Sequence, residues 1–245
     1  TMDKFPPKEG LSIIGCPEHE KVAEEVSDKG ITLVKQVGEN IFPVTPEKYK
    51  RIMLVPVGPH PSPAMAMAGM APDGSKLINS IKVKLEERGH TVEIYEDPLD
   101  KMFNMLKNLS PEEMRVKVAE HLKSARSRKG AYGNKQSIAA LTENYDLVIC
   151  VSNVSATMRT TQRLEWAISK GGWDNPWYVN ELPVIFVSFS CPFHLADVPQ
   201  IKNFINCYDA NESSVEYFIK KIAGESEFKG VSPVDAFCGL IDTKF

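Results

Sequence analysis

Three near-continuous apolar runs of strand length constrain the fold of this chain more than any other feature. They are RIMLVPV at Arg51–Val57, YDLVICVS at Tyr145–Ser152 and PVIFVSFS at Pro183–Ser190. A strand that is apolar on both sides needs a sheet with both faces covered, which is typical of parallel sheets. The runs therefore predict the central strands of a buried sheet.

Amphipathic stretches alternate with these runs and predict helices. The expected helices are Glu18–Lys29, Ser75–Arg88, Thr157–Lys170 and Ser213–Ala223, with a further one after the capping box of Ser110 and Glu113. Shorter strands are expected at Ile31–Val34, Thr91–Tyr95 and Lys202–Tyr208. Alternating strands and helices predict an α/β fold. We expect a three-layer α/β/α sandwich, a mostly parallel sheet with helices on both faces, as in flavodoxin-like domains.

The sequence predicts one domain preceded by a short linker segment. Residues 1–15 are polar, contain Pro6, Pro7 and Gly10, and are interpreted as the irregular remnant of an interdomain linker. Residues 16–245 form the α/β domain. The tail Gly230–Phe245 is rich in turn-forming residues and is expected to wrap around the surface.

Composition excludes several classes of function. The 245 residues carry a formal charge of -3, which argues against a nucleic-acid surface, and no apolar run is long enough for a membrane span. The five cysteines lack any CxxC spacing, so neither a zinc site nor a disulfide framework is expected. Cys150 and Cys207 lie in apolar runs and are predicted core thiols, which suits a reducing, cytoplasmic location. We expect no cofactor and no metal.

Three loops follow the apolar strands, at the edge where parallel sheets bind ligands. Their candidate substrate-binding or interface residues are His60, Asn153, Arg159, Arg163, His194 and Asp197. None completes a catalytic set, and the chain has no GxSxG elbow, Walker loop or GxGxxG motif. No catalytic residue is therefore assigned.

Each loop has more than one interpretation. His60, between prolines, is either a plain loop residue or functional. His194 and Asp197 are three residues apart and either form a His–carboxylate pair or hold a turn. A stand-alone hydrolase that used this pair would also need Ser190 or Cys191. Arg159 and Arg163, four apart on the predicted helix, are surface charges, anion or hydroxyl clamps, or contacts to another domain.

A stand-alone flavodoxin-like domain that binds a small molecule is the alternative from another class. It would need a phosphate-binding loop after Val57. The loop that follows begins GPHPSPAM, and its prolines remove backbone N–H donors. The same loop contains Met65, Met67 and Met70 and is expected to form an apolar patch through which the chain pairs as a homodimer.

Two stretches resemble a known family. GCPEHEKVAEEVSDKGITLVK at Gly15–Lys35 and the segment Pro183–Gly239, which closes with FKGVSPVD, resemble the entry and the latter half of the carboxyl-terminal domain of family 3 glycoside hydrolases. The resemblance covers nearly the whole chain from Gly15, although residues 59–144 match only in the order of their elements. The loop VSNVSATMRTTQRLEW has no carboxylate before Glu165, whereas many β-glucosidases of the family carry a general acid there.

The resemblance therefore points to the β-N-acetylglucosaminidase branch. It implies a parent enzyme that hydrolyses terminal β-linked N-acetylglucosamine or glucose with retention of configuration. The nucleophilic Asp and a His–Asp dyad would lie in an amino-terminal barrel that this chain lacks. The implied partners are that barrel and a carbohydrate substrate, and the fragment alone is expected to be inactive.

Overall fold

A computed structural model describes most of the chain. The described residues are 8–58, 75–95, 109–110, 112–117, 119, 142–154, 163–164 and 177–245.

Six strands form one sheet. They are β1 (Thr32–Gln36), β2 (Arg51–Pro56), β3 (Thr91–Ile94), β4 (Leu147–Ser152), β5 (Val184–Ser188) and β6 (Asn203–Asn206). Their order across the sheet is β1-β6-β5-β4-β2-β3, and every pairing is parallel except β1 with β6. The predicted apolar runs are the three central strands β2, β4 and β5. The predicted α/β fold with a mostly parallel sheet is confirmed.

Three α-helices cover one face of the sheet in the described part of the chain. They are α1 (Pro17–Gly30), α2 (Ser75–Glu87) and α3 (Glu212–Ile222), and α3 contacts both of the others. The proline at the first position of α1 is favourable because that position has no intrahelical N–H bond to lose. At α3, the Asn211 side-chain oxygen accepts the Ser214 N–H at 2.7 Å, which satisfies one free donor of the first turn.

Among the described residues, those that pack on the opposite face of the sheet lie in irregular chain and short turns. Two 3-10 helices, Trp177–Asn180 and His194–Ala196, carry core residues on this side. Phe186 of β5 and Phe204 of β6 stack there with ring centroids 5.2 Å apart, and both are fully buried. Each aromatic side chain buried in this way contributes about 2–3 kcal/mol of transfer free energy.

Two local expectations are corrected. Arg163 and Leu164 belong to no helix, so the predicted helix Thr157–Lys170 is wrong at these two residues, while its other residues lie outside the described ones. The reason is tertiary: Leu164 is buried in the core, and its N–H bonds to the Asp197 carboxylate instead of a carbonyl one turn back. Within the segment expected to be irregular, Lys8–Ile13 forms a 3-10 helix.

The predicted capping box is confirmed. The Ser110 N–H donates to the Glu113 carboxylate at 2.9 Å, and the Glu113 N–H donates to the Ser110 hydroxyl at 3.4 Å. Residues 112–117 are helical. Two otherwise unpaired backbone donors are satisfied reciprocally.

The tail is built of turns and is fastened to the domain. Gly230 lies against the sheet-entry segment so closely that an added Cβ would be 2.6 Å from the Ile31 carbonyl oxygen. The buried Lys35 ammonium of β1 donates to the carbonyl oxygens of Pro199 and Phe245, both at 2.8 Å. These contacts confirm the expectation that the last segment packs along the surface.

Cys150 and Cys207 are buried and form no disulfide, as predicted from their apolar runs. Complete burial raises the pKa of the Cys207 thiol well above its ordinary value. A thiol that stays protonated is a poor nucleophile, so this residue acts as a small core side chain. Among the described residues, no helix is long and apolar enough to cross a membrane.

Candidate functional site

Polar residues end three neighbouring strands at the carboxyl-terminal edge of the sheet. Ser152 of β4 is in register with Ser188 of β5, which is in register with Asn206 of β6. All three are buried, and the alternation of side chains along each strand puts them on the same face as Phe186 and Phe204. We call these three residues the polar row.

His194 lies on the polar row. Its ring Nδ1 is 2.8 Å from the Ser188 hydroxyl oxygen, and that hydroxyl donates to the Cys191 carbonyl oxygen, also at 2.8 Å. Because the hydroxyl has a single hydrogen, this network assigns the proton on Nδ1 to the bond with Ser188. His194 thus acts as a donor toward Ser188 and does not activate it as a nucleophile, and both side chains are inaccessible to solvent.

Asp197, three residues further on, contacts the preceding loop. Its carboxylate accepts the Leu164 N–H at 2.9 Å and forms an ion pair with the Arg163 guanidinium. The Asp197 side chain is 6% exposed and that of Arg163 is 71% exposed. The aspartate therefore holds the guanidinium of an arginine whose side chain is largely exposed.

The structure therefore separates His194 from Asp197 in function. Their side chains contact different partners, Ser188 and Arg163, so the hypothesised His–carboxylate pair does not describe these contacts. The alternative, that the two residues hold a turn, agrees with the Asp197 N–H donating to the His194 carbonyl oxygen at 2.9 Å. Of the candidate residues that the structure describes at this edge, Arg163 is the one whose charged side chain is largely exposed.

Of the remaining predicted residues, Asn153 is the one that the structure describes. Asn153 is exposed immediately after β4. His60 and Arg159 lie outside the described residues, as does the Met-rich loop to which the expected homodimer was assigned. The proposed helical pairing of the two arginines is not supported at Arg163, which is in no helix.

Loop-to-loop hydrogen bonds make this edge rigid. The Ser190 hydroxyl donates to the Val154 carbonyl oxygen at 2.7 Å, and the Asn206 side-chain amide donates to the Pro192 carbonyl oxygen at 3.1 Å. The hydroxyl of Ser190 is therefore engaged in joining the loops after β4 and β5. This structural role differs from the nucleophilic role that Ser190 would have in a stand-alone hydrolase.

The polar row itself was not singled out from the sequence. Its signal was present, since each apolar run ends in a polar residue: the VS of β4, the VS of β5 and the IN of β6. Ser152 Oγ and Asn206 Oδ1 are buried and have no hydrogen-bond partner among the described residues. Such orphaned polar atoms are typical of sites completed by water or by another molecule.

The tail lies close to this edge. Burial and the Asp235 carboxylate raise the pKa of the Cys238 thiol, and Arg163 lowers it. The adjacent Phe237 packs against the core on this face of the sheet. The described residues contain no cluster of three or more His, Cys, Asp or Glu side chains suited to a metal ion.

Comparison with known proteins gives a consistent result. No family model matches the chain. It is 30% identical over 242 residues to a β-N-acetylglucosaminidase/β-glucosidase of Cellulomonas fimi, across 98% of this chain and 36% of that protein. It superimposes on a β-glucoside phosphorylase, BglX, with a TM-score of 0.70 and 32% identity, across 98% of this chain and 35% of the other.

A family 3 glycoside hydrolase from Paenibacillus sp., a β-N-acetylglucosaminidase, is 17% identical with a TM-score of 0.46 over 88% of this chain and 32% of its own. The chain spans about a third of the length of these relatives.

Proposed function

We propose that this chain is the carboxyl-terminal α/β domain of a family 3 glycoside hydrolase and that it forms one wall of a glycosidase active site. The rest of that site would come from an amino-terminal barrel in the same parent protein. Residues 16–245 would be the domain and residues 1–15 the linker from the barrel. The proposed substrate is a glycoside with a terminal β-linked N-acetylglucosamine or glucose.

The observation that carries this proposal is the composition of the carboxyl-terminal edge. It has a rigid polar row and an ion pair that presents Arg163, but the described residues bring no nucleophile, acid and base together. In retaining glycosidases that use a carboxylate pair, the two groups flank the scissile bond at about 5–5.5 Å. The Asp197 carboxylate is instead engaged by Arg163 and the Leu164 N–H.

In the proposed reaction, a carboxylate of the barrel would attack the anomeric carbon while the bond to the leaving oxygen breaks and that oxygen gains a proton. Water would then attack the same carbon and release the enzyme carboxylate. The present chain would position and enclose the substrate. Among the described residues, Arg163, whose guanidinium is held by Asp197, would contact the barrel or a sugar hydroxyl.

A second candidate is phosphorolysis, in which inorganic phosphate replaces water in the second step. The similarity to a β-glucoside phosphorylase at 32% identity over 98% of this chain favours considering it. The two reactions differ in their product. Hydrolysis releases the free sugar, whereas phosphorolysis releases a glycosyl phosphate.

The test begins by reading the coding sequence upstream of Thr1. It then uses the protein in which that upstream part and the present chain are joined, which we call the joined protein. We expect a barrel there of about 200 or more residues, and turnover of p-nitrophenyl N-acetyl-β-glucosaminide or the glucoside by the joined protein. Turnover without phosphate supports hydrolysis, and phosphate-dependent formation of a glycosyl phosphate supports phosphorolysis. Absence of a barrel, or no turnover of either substrate, would contradict the proposal.

The role of the ion pair has its own test in the joined protein. Asp197→Asn should lower kcat/KM about tenfold, equivalent to ~1.4 kcal/mol, because the Arg163 guanidinium loses the carboxylate that orients it. The matched control is Asp209→Asn, after β6, whose carboxylate bonds only within its own turn, to the Ala210 N–H and the Asn211 amide. Equal effects of the two substitutions would argue against a role for Asp197.

A further inference from the structure

The polar contacts between α1 and α3 lie in the last turn of α1. Ser27 is buried, with its hydroxyl oxygen 3.4 Å from that of Ser214, and the Asp28 carboxylate is 3.0 Å from the Lys221 ammonium. By contrast, residues 17–26 of the same helix are all exposed. Most of α1 therefore presents an uncovered surface.

The apolar side chains of α1 lie on a different side of the helix from these contacts. Each residue turns an α-helix by about 100°, so Val22, Val26 and Gly30 follow one another along a single stripe. From Val26, Ser27 is about 100° and Asp28 about 160° away around the helix. Val22 is 58% exposed and Val26 is 65% exposed. A Cβ added to Gly30 would meet no atom of the surrounding described chain within 4 Å, so the stripe is open along its length.

The tail adds to this apolar surface. Gly230 lies against the end of α1, because its added Cβ would be 2.7 Å from the Gly30 carbonyl oxygen. The next residue, Val231, is 87% exposed. We call the surface formed by Val22, Val26, Gly30 and Val231 the α1 stripe. The segment before α1 also carries large exposed apolar side chains, those of Leu11, Ile13 and Ile14. Clustered apolar side chains in solvent are typical of interaction surfaces.

The size of the α1 stripe favours a tethered partner over a free one. A stable complex between separate molecules buries about 800 Å² and roughly 20–30 residues on each side. Three valines on and beside a helix of 14 residues supply much less. A domain joined by a short linker needs less area, because the linker holds it at an effective concentration on the order of millimolar.

The position of α1 in the chain indicates which domain that is. The chain spans about a third of the length of its relatives, so most of their length has no counterpart here. In the proposed parent protein, residues 1–15 are the linker from the barrel, and α1 follows them directly. The barrel is therefore the domain nearest to the α1 stripe along the chain, and the exposed side chains of the linker continue the apolar surface toward it.

We propose that the α1 stripe is a surface on which the amino-terminal barrel of the same parent chain docks through an apolar patch of its own. This inference rests on the proposed function, in which the barrel precedes residues 1–15. The stripe would fix the orientation of the barrel, while the carboxyl-terminal edge would supply the wall of the pocket.

The test compares thiol reactivity in the isolated 245-residue chain and in the joined protein. Val26→Cys places a thiol on the stripe, and Lys21→Cys places one on the polar side of the same helix, about 140° away. Both positions are exposed, so neither substitution disturbs the core. Labelling with N-ethylmaleimide is followed at each site by peptide mass spectrometry, which separates the introduced thiols from the five native cysteines.

In the isolated chain, the two thiols should react at similar rates at every protein concentration. In the joined protein, Val26→Cys should react at least about tenfold more slowly, because a thiol beneath an interface reacts only when the interface opens. The rate for Lys21→Cys should change less than about twofold, since its side of the helix stays in solvent. Adding Val22→Asp to Val26→Cys should restore fast labelling, because an unpaired carboxylate resists burial.

Equal labelling of Val26→Cys in the two proteins overturns the proposal, as does equal slowing of Val26→Cys and Lys21→Cys. Labelling of the isolated chain that slows as its concentration rises also overturns it, because a second copy would then cover the stripe. These rates require no turnover of substrate. Failure of this interface and failure of the proposed glycosidase activity are therefore measured separately.

Discussion

Substitution of Asp28 tests how α1 is held on the domain. The Asp28 carboxylate lies 3.0 Å from the Lys221 ammonium of α3, and this ammonium also donates to the Ser226 hydroxyl and the Glu227 carbonyl oxygen. Lys221 is almost completely buried, with its side chain 1% exposed, while the Asp28 side chain is 37% exposed. Asp28→Asn would leave the buried ammonium without its counter-charge.

The magnitude follows from these exposures. Breaking a fully buried ion pair costs about 3–5 kcal/mol. Because solvent reaches the Asp28 side and two other acceptors of Lys221 remain, we expect about 1–2 kcal/mol less free energy of unfolding. The matched control is Glu25→Gln on the same helix, where the Glu25–Lys29 pair is exposed on both sides and should contribute far less to stability than the Asp28–Lys221 pair.

The loss of free energy of unfolding in Asp28→Asn should depend on pH in a characteristic way. The hydrogen bond from Ser226, opposed by burial and aided by Lys221, holds the pKa of Asp28 below its ordinary value of 3.8. A lowered carboxyl pKa contributes stability above the unfolded pKa, and that stability is lost as the pH falls through the folded pKa. The Asp28→Asn difference should therefore be constant at neutral pH and shrink progressively below about pH 4.

The assay is urea unfolding followed by circular dichroism at several pH values, with m-values compared between proteins. A loss for Asp28→Asn no larger than that for Glu25→Gln would refute the reasoning. So would a loss that stays the same at pH 3 as at pH 7.

Three further substitutions test other parts of the fold by the same unfolding measurement. Phe186→Ala should lower the free energy of unfolding by about 3–5 kcal/mol, because the fully buried ring leaves a cavity; a loss under about 1 kcal/mol would contradict this packing. Tyr145→Phe removes the phenol that donates to Glu93 and should cost about 1 kcal/mol at neutral pH. Burial and the Glu93 carboxylate raise the pKa of Tyr145 above 10.0. The free energy of unfolding of the wild-type protein should therefore fall as the pH rises above 10, whereas that of Tyr145→Phe should not fall for this reason. Parallel pH profiles of the two proteins would contradict this expectation. Gly230→Ala should cost about 1–3 kcal/mol, since its Cβ would meet the Ile31 carbonyl oxygen at 2.6 Å, and a neutral substitution would show that the tail is loosely held.

The strands were predictable because nearly all of their residues are apolar, which requires burial. Runs such as LVICV have no polar position to turn outward, so both faces must be covered. The antiparallel edge strand β1 was recognisable as a strand but not in its direction, which depends on its pairing with β6. Local pattern carries no information about which distant strand will be the neighbour.

The candidate site was predictable in position but not in its contacts. The loop that carries His194 and Asp197 was identified from the strand before it. Their partners, Ser188 and Arg163, depend on how two loops meet in space, which the three-residue spacing does not determine. Similarly, the helical pattern around Arg163 was overridden where Leu164 enters the core and its N–H bonds to Asp197.

Turnover by the isolated chain tests the central claim most directly. The purified 245-residue protein is assayed with p-nitrophenyl N-acetyl-β-glucosaminide and the corresponding glucoside, with and without inorganic phosphate. Because the groups that break the glycosidic bond are assigned to the barrel, we expect no release of p-nitrophenol above the buffer rate. Turnover that disappears on His194→Gln or Asp197→Asn would show that this chain carries a complete active site, contrary to our account.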